Sequence, residues 1–209
     1  MKKYITLLFC LLLIVSVNAQ KKAVTETGDE VILFDDGTWE YEDNYNFEEL
    51  EIPTNPKQFK KEDSASFLLK SKKLNVGFWL NPKKWTFQKA TDNLEAEYEF
   101  QLKGEDLYGM VISEKVEIPL ETLKYIALEN GKGAAPDLKV VKEEFRFVNG
   151  IKVLLLEMNG TMQGIKFSYY GYYFSSTNGT VQFITYTSQN LLDSYRNKCD
   201  DLLNGLIEI

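Results

Sequence analysis

Three hydrophobic patterns follow one another along the chain. An unbroken apolar run from Tyr4 to Val17 comes first, alternating apolar and polar positions dominate residues 66–187, and apolar positions three and four apart take over after Ser188. Alternation is typical of half-buried strands, and the wider spacing marks one face of a helix. The chain therefore predicts a short leader and then a domain of strands that a helix closes.

The apolar run has the features of an export signal. Two lysines precede it, it is shorter than a membrane span, and Val17-Asn18-Ala19 offers the small-x-small pattern that signal peptidase cleaves. We predict that residues 1–19 are removed, which leaves a periplasmic or secreted protein without a membrane span. Cys10 lies inside the apolar run, so a cleaved soluble product is favoured over a lipoprotein, with an uncleaved N-terminal anchor as the alternative.

Residues 20–45 predict a small β-hairpin. Val31 to Phe34 is a short apolar strand, Asp36-Gly37 tolerates the positive φ of a tight turn, and the chain returns as an alternating strand. The segment from Val31 to Tyr41, with its DGTW-x-Y sequence, resembles one found in exported proteins of Bacteroidetes-type bacteria. That resemblance implies a lineage and a compartment. Residues 46–65 follow as a predicted acidic linker with two prolines.

The main domain is predicted over residues 66–209. Its first half contains several strand-like runs, of which 96–102 alternates apolar residues with Glu and Gln, as in a strand with one wet face. Its second half contains three Asn-Gly pairs that separate runs rich in β-branched and aromatic residues. Asn-Gly favours the type I′ turn of a hairpin, so we predict a four-stranded antiparallel meander. The turns are expected at Asn149-Gly150, Asn159-Gly160 and Asn178-Gly179, and the earlier strands at 67–70, 76–80, 85–88, 96–102 and 107–117.

Two helices complete the predicted domain. The first begins at Pro119, carries an apolar stripe, and is expected to end at Gly131. The second follows Ser188 as N-cap and carries a longer stripe that includes Tyr195 and Cys199, which we expect to pack against the sheet. The fold class is therefore α+β: an antiparallel sheet with a long C-terminal meander, covered by two helices and preceded by the small N-terminal hairpin. The second stripe consists of Leu191, Leu192, Tyr195, Cys199, Leu202, Leu203 and Leu206.

The run from Gly77 to Trp85, GFWLNPKKW, resembles the G-F-x-x-x-P-x-x-W segment of the PsbP/Mog1-like family of α/β/α sandwiches. The tyrosine-rich meander and the terminal amphipathic helix resemble the later half of that family. The resemblance covers most of residues 66–209 in layout. It implies an accessory or binding role rather than catalysis, and it transfers no functional residues.

Composition excludes many catalytic systems. The chain has no histidine, and only Cys199 remains after signal cleavage, so His-dependent nucleophiles, His or thiolate metal sites and an internal disulfide are excluded. The net charge is −7, or −9 without the two leader lysines. Residues 26–51 hold eleven acids and no base, while residues 57–89 hold nine lysines. In an exported acidic protein these segments favour solvated faces over a nucleic-acid site.

Aromatic residues are the candidate ligand-binding groups. Trp79 and Trp85 lie in the family-like segment, and Tyr170 and Tyr172 lie in the strand 167–174, whose aromatic residues point to both faces. Burial of both faces is the favoured interpretation of that strand, with an aromatic platform as the alternative. No catalytic, cofactor or metal residues are assigned, because acid pairs such as Glu105-Asp106 are typical of turns.

We therefore predict an exported, non-enzymatic binding or accessory protein whose ligand is an unknown protein or glycan. One alternative is a carboxylate-dependent hydrolase that acts on envelope or dietary glycans, which would hold two carboxyl groups across a cleft. The other is an envelope structural or interaction protein whose acidic hairpin segment binds a partner. A cofactor is not expected for any of these roles.

Overall fold

A computed structural model describes residues 21–26, 28–34, 37–42, 52–91 and 93–209. The export signal and its cleavage site lie outside these residues and stay predictions. Two α-helices, α1 (Leu120–Lys132) and α2 (Leu192–Leu203), and a 3₁₀ helix (Gln189–Leu191) accompany the strands of the described part. The strands are β1 (Lys21–Val24), β2 (Glu30–Leu33), β3 (Trp39–Tyr41), β4 (Thr54–Phe59), β5 (Phe67–Lys70), β6 (Val76–Leu80), β7 (Trp85–Lys89), β8 (Ala96–Leu102), β9 (Tyr108–Glu114), β10 (Lys139–Val148), β11 (Ile151–Met162), β12 (Ile165–Ser176), β13 (Gly179–Ser188) and β14 (Leu206–Glu208).

The main sheet has eight strands in the order β4-β10-β11-β12-β13-β9-β8-β7. Its pairs are antiparallel except for β4 and β10, which run parallel, so the expectation of a purely antiparallel sheet is wrong in this one pair. The long connection between β4 and β10 allows the parallel pairing, which a short turn would forbid. β4 lies within the predicted linker, and its Pro56 is tolerated because β4 is an edge strand. The division of the chain into domains stays a prediction.

The four-stranded meander is confirmed, but one of its three predicted turns is wrong and the last lies at Thr177-Asn178, one residue earlier than predicted, because Gly179 already pairs with Ser176. Asn149 and Gly150 both have positive φ, at 50° and 91°, as a type I′ turn requires. Asn159 and Gly160 instead lie inside β11, and the chain reverses at Gln163-Gly164, with φ of 51° and 81°. A Cβ at Gly160 would lie 3.0 Å from a methyl group of Leu138. Glycine is therefore used there for close packing rather than for a turn.

The two helices differ from expectation at their C-terminal ends. α1 continues through Gly131 to Lys132, because Gly131 is needed where the helix meets Leu138 rather than at its end. α2 ends at Leu203, and Leu206 belongs to β14, which pairs with β6. Ser188 precedes the 3₁₀ turn without a side-chain capping bond.

The helices cover opposite faces of the main sheet. Val153 and Leu155 of β11 share a core with Leu202 of α2, whereas Leu154 and Leu156 share one with Leu123 of α1. Alternate residues of one strand thus enter different cores. The result is the three-layer α/β/α arrangement that the PsbP/Mog1-like resemblance implies.

Two small sheets flank these layers. β14, β6 and β5 form one, and Phe78 of β6 enters the core beside α2. β1, β2 and β3 form the other, which contains the predicted hairpin as β2 and β3 and adds β1. The Lys22 ammonium lies 5.5 Å from the ring centre of Tyr125 on α1, so the N-terminal sheet contacts the main layers. In the described ranges, neither α-helix is long and apolar enough to cross a membrane.

Candidate functional site

Two of the four candidate binding residues are buried in a polar network beneath α2. Tyr170 and Tyr172 are both 0% exposed, and their hydroxyls donate to Asp200 Oδ1 and Asn204 Oδ1, each at 2.9 Å. Tyr173, which points to the other face, is also buried. The face of this strand that carries Tyr170 and Tyr172 is buried, as is Tyr173 on the other face, whereas Tyr169 on that other face is half-buried. Neither Tyr170 nor Tyr172 offers a surface on which a ligand could stack.

Arg146 organises this network. Its guanidinium donates to Glu144 Oε1 at 2.6 Å, to Asp200 Oδ1 at 3.0 Å and to the Tyr172 hydroxyl at 3.1 Å. It also lies 4.5 Å from the ring centre of Phe59. Burial raises the pKa of the Tyr172 phenol, which stays neutral at physiological pH. The cluster ties β4, β10, β12 and α2 together, so its role is structural.

Trp79 and Trp85 take different places. Trp79 on β6 is half-buried, with the Lys61 ammonium 5.2 Å from its ring centre. Trp85 on β7 is 3% exposed and forms the floor of a cleft of about 310 Å³. We call this the lysine cleft. It is lined by Lys83, Lys84, Trp85, Leu102, Lys103, Glu105, Lys198 and Asp201.

Both carboxylates of the lysine cleft are bound by lysines. Lys198 donates to Glu105 Oε1 at 3.0 Å, and this bond, with one from the Tyr195 hydroxyl, holds the pKa of Glu105 below its ordinary value. Lys84 donates to Asp201 Oδ2 at 3.4 Å, while burial raises the pKa of Asp201. Within the described residues, no three acidic or cysteine side chains group as a metal site.

A second surface lies on the face of the main sheet that carries α1, at the edge of the core that α1 covers. Tyr169, Tyr186 and Tyr108 stand directly opposite one another across β12, β13 and β9. The rings of Tyr108 and Tyr186 are stacked, with centres 5.5 Å apart and planes at 21°, and the Tyr169 ring meets Tyr186 edge-on at 6.1 Å. The row continues across β8 and β7 through Gln101 and Thr86.

A depression of about 260 Å³ lies beside this row. Gln88 donates to Glu99 Oε2 at 3.0 Å, so a bonded amide and carboxylate line the depression together with the two stacked rings. Burial raises the pKa of Tyr186, so its phenol is a neutral donor and acceptor. The residues that line the depression include no lysine or arginine. We call this surface, formed by Thr86, Gln88, Glu99, Gln101, Tyr108, Tyr169 and Tyr186, the tyrosine face.

Sequence reasoning missed the tyrosine face. The wet side of β8, with Glu99 and Gln101, is recognised from the alternation alone. Tyr108 and Tyr186 are separated by most of the domain in sequence, and only the pairing of β9 with β13 brings them together. Tyr186 lies between two threonines and Tyr108 between a leucine and a glycine, so apolar alternation marks neither of them.

No family model matches the chain, and no curated protein matches it. The solution structure of cyanobacterial PsbP (CyanoP) from Synechocystis superposes with a TM-score of 0.52 at 14% identity, covering 71% of this chain and 95% of that one. LpqN of Mycobacterium tuberculosis, involved in cell envelope biogenesis, is similar with a TM-score of 0.41 at 9% identity, covering 60% and 78%. The first similarity confirms a PsbP-like fold.

Proposed function

We propose that the chain is an exported, non-enzymatic binding protein that takes a neutral glycan at the tyrosine face. The observation that carries this proposal is the row of Tyr169, Tyr186 and Tyr108, half-buried and in register at the edge of the core that α1 covers. Polar side chains are enough to keep a solvated sheet face soluble, so solubility does not require tyrosines there. Three tyrosines in register on such a face favour a ligand that covers them.

The groups beside the rings match a sugar. The C–H faces of a pyranose stack on aromatic rings, and its hydroxyls need both donors and acceptors at fixed positions. Gln88, Gln101 and Thr86 supply amide and hydroxyl groups, and Glu99 supplies a carboxylate. Because the depression is lined by one acid and no base, it disfavours phosphorylated or otherwise anionic ligands.

The hydrolase has weaker support, and the interaction role rests on a different surface, the N-terminal sheet. A hydrolase needs an acid and a base free to exchange protons with substrate, whereas Glu105 and Asp201 are each engaged by a lysine. An interaction protein needs a broad apolar surface, and the N-terminal sheet exposes Leu33, Trp39 and Tyr41. Export to the periplasm or beyond rests on the leader and belongs to the same proposal.

The test is a screen of the mature protein, residues 20–209, against immobilised neutral oligosaccharides, with calorimetry on any that bind. Tyr108→Ala removes one stacked ring and is expected to weaken binding by roughly 1–3 kcal/mol, whereas Tyr108→Phe keeps the ring and most of the affinity. Tyr41→Ala is the matched control, because Tyr41 is 48% exposed and lies on the N-terminal sheet.

Two results would overturn the proposal. One is glycan binding that Tyr108→Ala leaves unchanged while the variant stays folded. The other is release of reducing ends from a glycan that disappears in Glu105→Gln or Asp201→Asn, which would establish the hydrolase instead.

A further inference from the structure

The lysine cleft carries an inference that is independent of the tyrosine face. Three separate stretches of chain meet there: the β6–β7 turn with Lys83 and Lys84, the β8–β9 turn with Lys103, and α2 with Lys198. The two turns are tied to each other, because the Lys103 amide donates to the Lys84 carbonyl at 2.9 Å and its ammonium donates to the Pro82 carbonyl at 2.8 Å. The cleft is thus preformed by the fold.

Its charge is opposite to that of the protein. The lining residues carry four lysines and two carboxylates, a balance of +2, in a chain whose net charge is −7. Glu105 engages Lys198, and Lys84 pairs with Glu62 at 2.9 Å as well as with Asp201 at 3.4 Å. Among the described residues, no carboxylate pairs with Lys83 or Lys103. Neither ammonium is therefore neutralised by a carboxylate, and the Lys103 ammonium, which donates to the Pro82 carbonyl, keeps two further N–H donors for an incoming anion.

The interior of the cleft is apolar. Trp85 and Leu102 face each other across β7 and β8 and form the floor. The methylene stems of the lysines form the walls, since a lysine keeps its stem on apolar surface while its ammonium reaches water. The Lys198 ammonium is held at one wall, 4.8 Å from the ring centre of Tyr195 and bonded to Glu105. A ligand that fits needs an apolar body as well as an anionic head.

We propose that the lysine cleft binds a medium-chain aliphatic carboxylate, with the chain on the Trp85–Leu102 floor and the carboxylate between Lys83 and Lys103. A volume of about 310 Å³ is at the small end for ligand sites, which typically span roughly 300–1,000 Å³, and suits one short chain rather than a two-chain lipid. A carboxylate accepts from both ammonium groups at once.

The experiment is calorimetric titration of the mature protein with decanoate, with decanol as the neutral analogue and with acetate as the head group alone. Decanoate is expected to bind, and its affinity falls as salt is raised, because the rim charges are screened. Decanol and acetate are expected to bind at least about tenfold more weakly, because decanol lacks the carboxylate and acetate lacks the alkyl chain.

The variant Lys83→Gln/Lys103→Gln removes the two ammonium groups that no cleft carboxylate neutralises and is expected to weaken decanoate binding about tenfold. Lys70→Gln/Lys89→Gln is the matched control, because these lysines are exposed on β5 and β7 and line no part of the cleft. Thermal unfolding of both variants checks that they are folded. If the Lys83/Lys103 variant unfolds, Lys83→Gln alone is used, with about threefold weakening expected.

Three results would overturn the proposal. Equal affinity for decanol and decanoate would show an apolar site without anion recognition. Equal affinity for acetate and decanoate would show a surface anion site that does not use the floor. Decanoate binding that falls equally in both lysine variants would show nonspecific attraction to the basic segment.

Discussion

Replacing Arg146 with methionine should destabilise the protein more than any exchange of a surface lysine. Arg146 is 5% exposed and donates to Glu144, Asp200 and Tyr172. Methionine keeps an apolar stem beside Phe59 but leaves two carboxylates without their cation. Breaking a fully buried ion pair costs about 3–5 kcal/mol.

The cost here is lower because the partners are not fully buried. The side chains of Glu144 and Asp200 are 14% and 26% exposed, so water solvates part of each stranded charge. Tyr172 keeps its bond to Asn204. We expect a loss of about 2–4 kcal/mol in the free energy of unfolding. At about 2–4 °C per kcal/mol for a chain of this length, the midpoint should fall by roughly 4–16 °C.

The assay is urea unfolding of the mature protein followed by circular dichroism at pH 7, with Lys132→Met as control. Lys132 pairs with Glu129 on the surface of α1, where such a pair contributes less than about 0.5 kcal/mol. Adding Asp200→Asn to Arg146→Met should recover part of the loss, because it removes one stranded charge. A loss below about 1 kcal/mol, or no recovery in the double variant, would refute the reasoning.

Three further predictions follow from single observations. Burial, and then the neighbouring carboxyl of Glu42, raises the pKa of Glu30 from 4.5 to about 7. Folding therefore favours the protonated form of Glu30. The stability that this preference adds is fully present below pH 4.5 and is lost as the pH rises through 7. Amide exchange in β2, corrected for its intrinsic pH dependence, should accelerate over that window, and Glu30→Gln should abolish the acceleration. Gly171→Ala should cost about 1–3 kcal/mol in urea unfolding, because its Cβ would lie 2.9 Å from the Ile184 Cα; a loss below about 0.5 kcal/mol would contradict this. The intact mass of the exported protein should equal that of a chain that begins at Gln20. A mass that includes the leader, or a lipid on Cys10, would contradict the cleavage prediction.

The sequence alone determined the features that depend on near neighbours. β5 and β6 begin and end where the hydrophobic pattern predicts, at Phe67–Lys70 and Val76–Leu80. The Asn149-Gly150 turn follows from the dihedral preferences of the two residues themselves. The apolar stripe of α2 places Tyr195 and Cys199 in the core, as helical periodicity requires. Burial raises the pKa of the Cys199 thiol to about 11, which keeps it protonated at neutral pH.

Tertiary structure decided the features in which distant segments compete for the same space. Gly160 lies inside β11 rather than in a turn, because the chain around Leu138 packs against it. Tyr170 and Tyr172 became core residues because α2 covers their face, while Tyr108 and Tyr186 are half-buried and belong to neither core. Local pattern gives each strand a wet and a dry side, but strand order and helix placement decide which sides are covered. Both candidate sites lie where that covering ends.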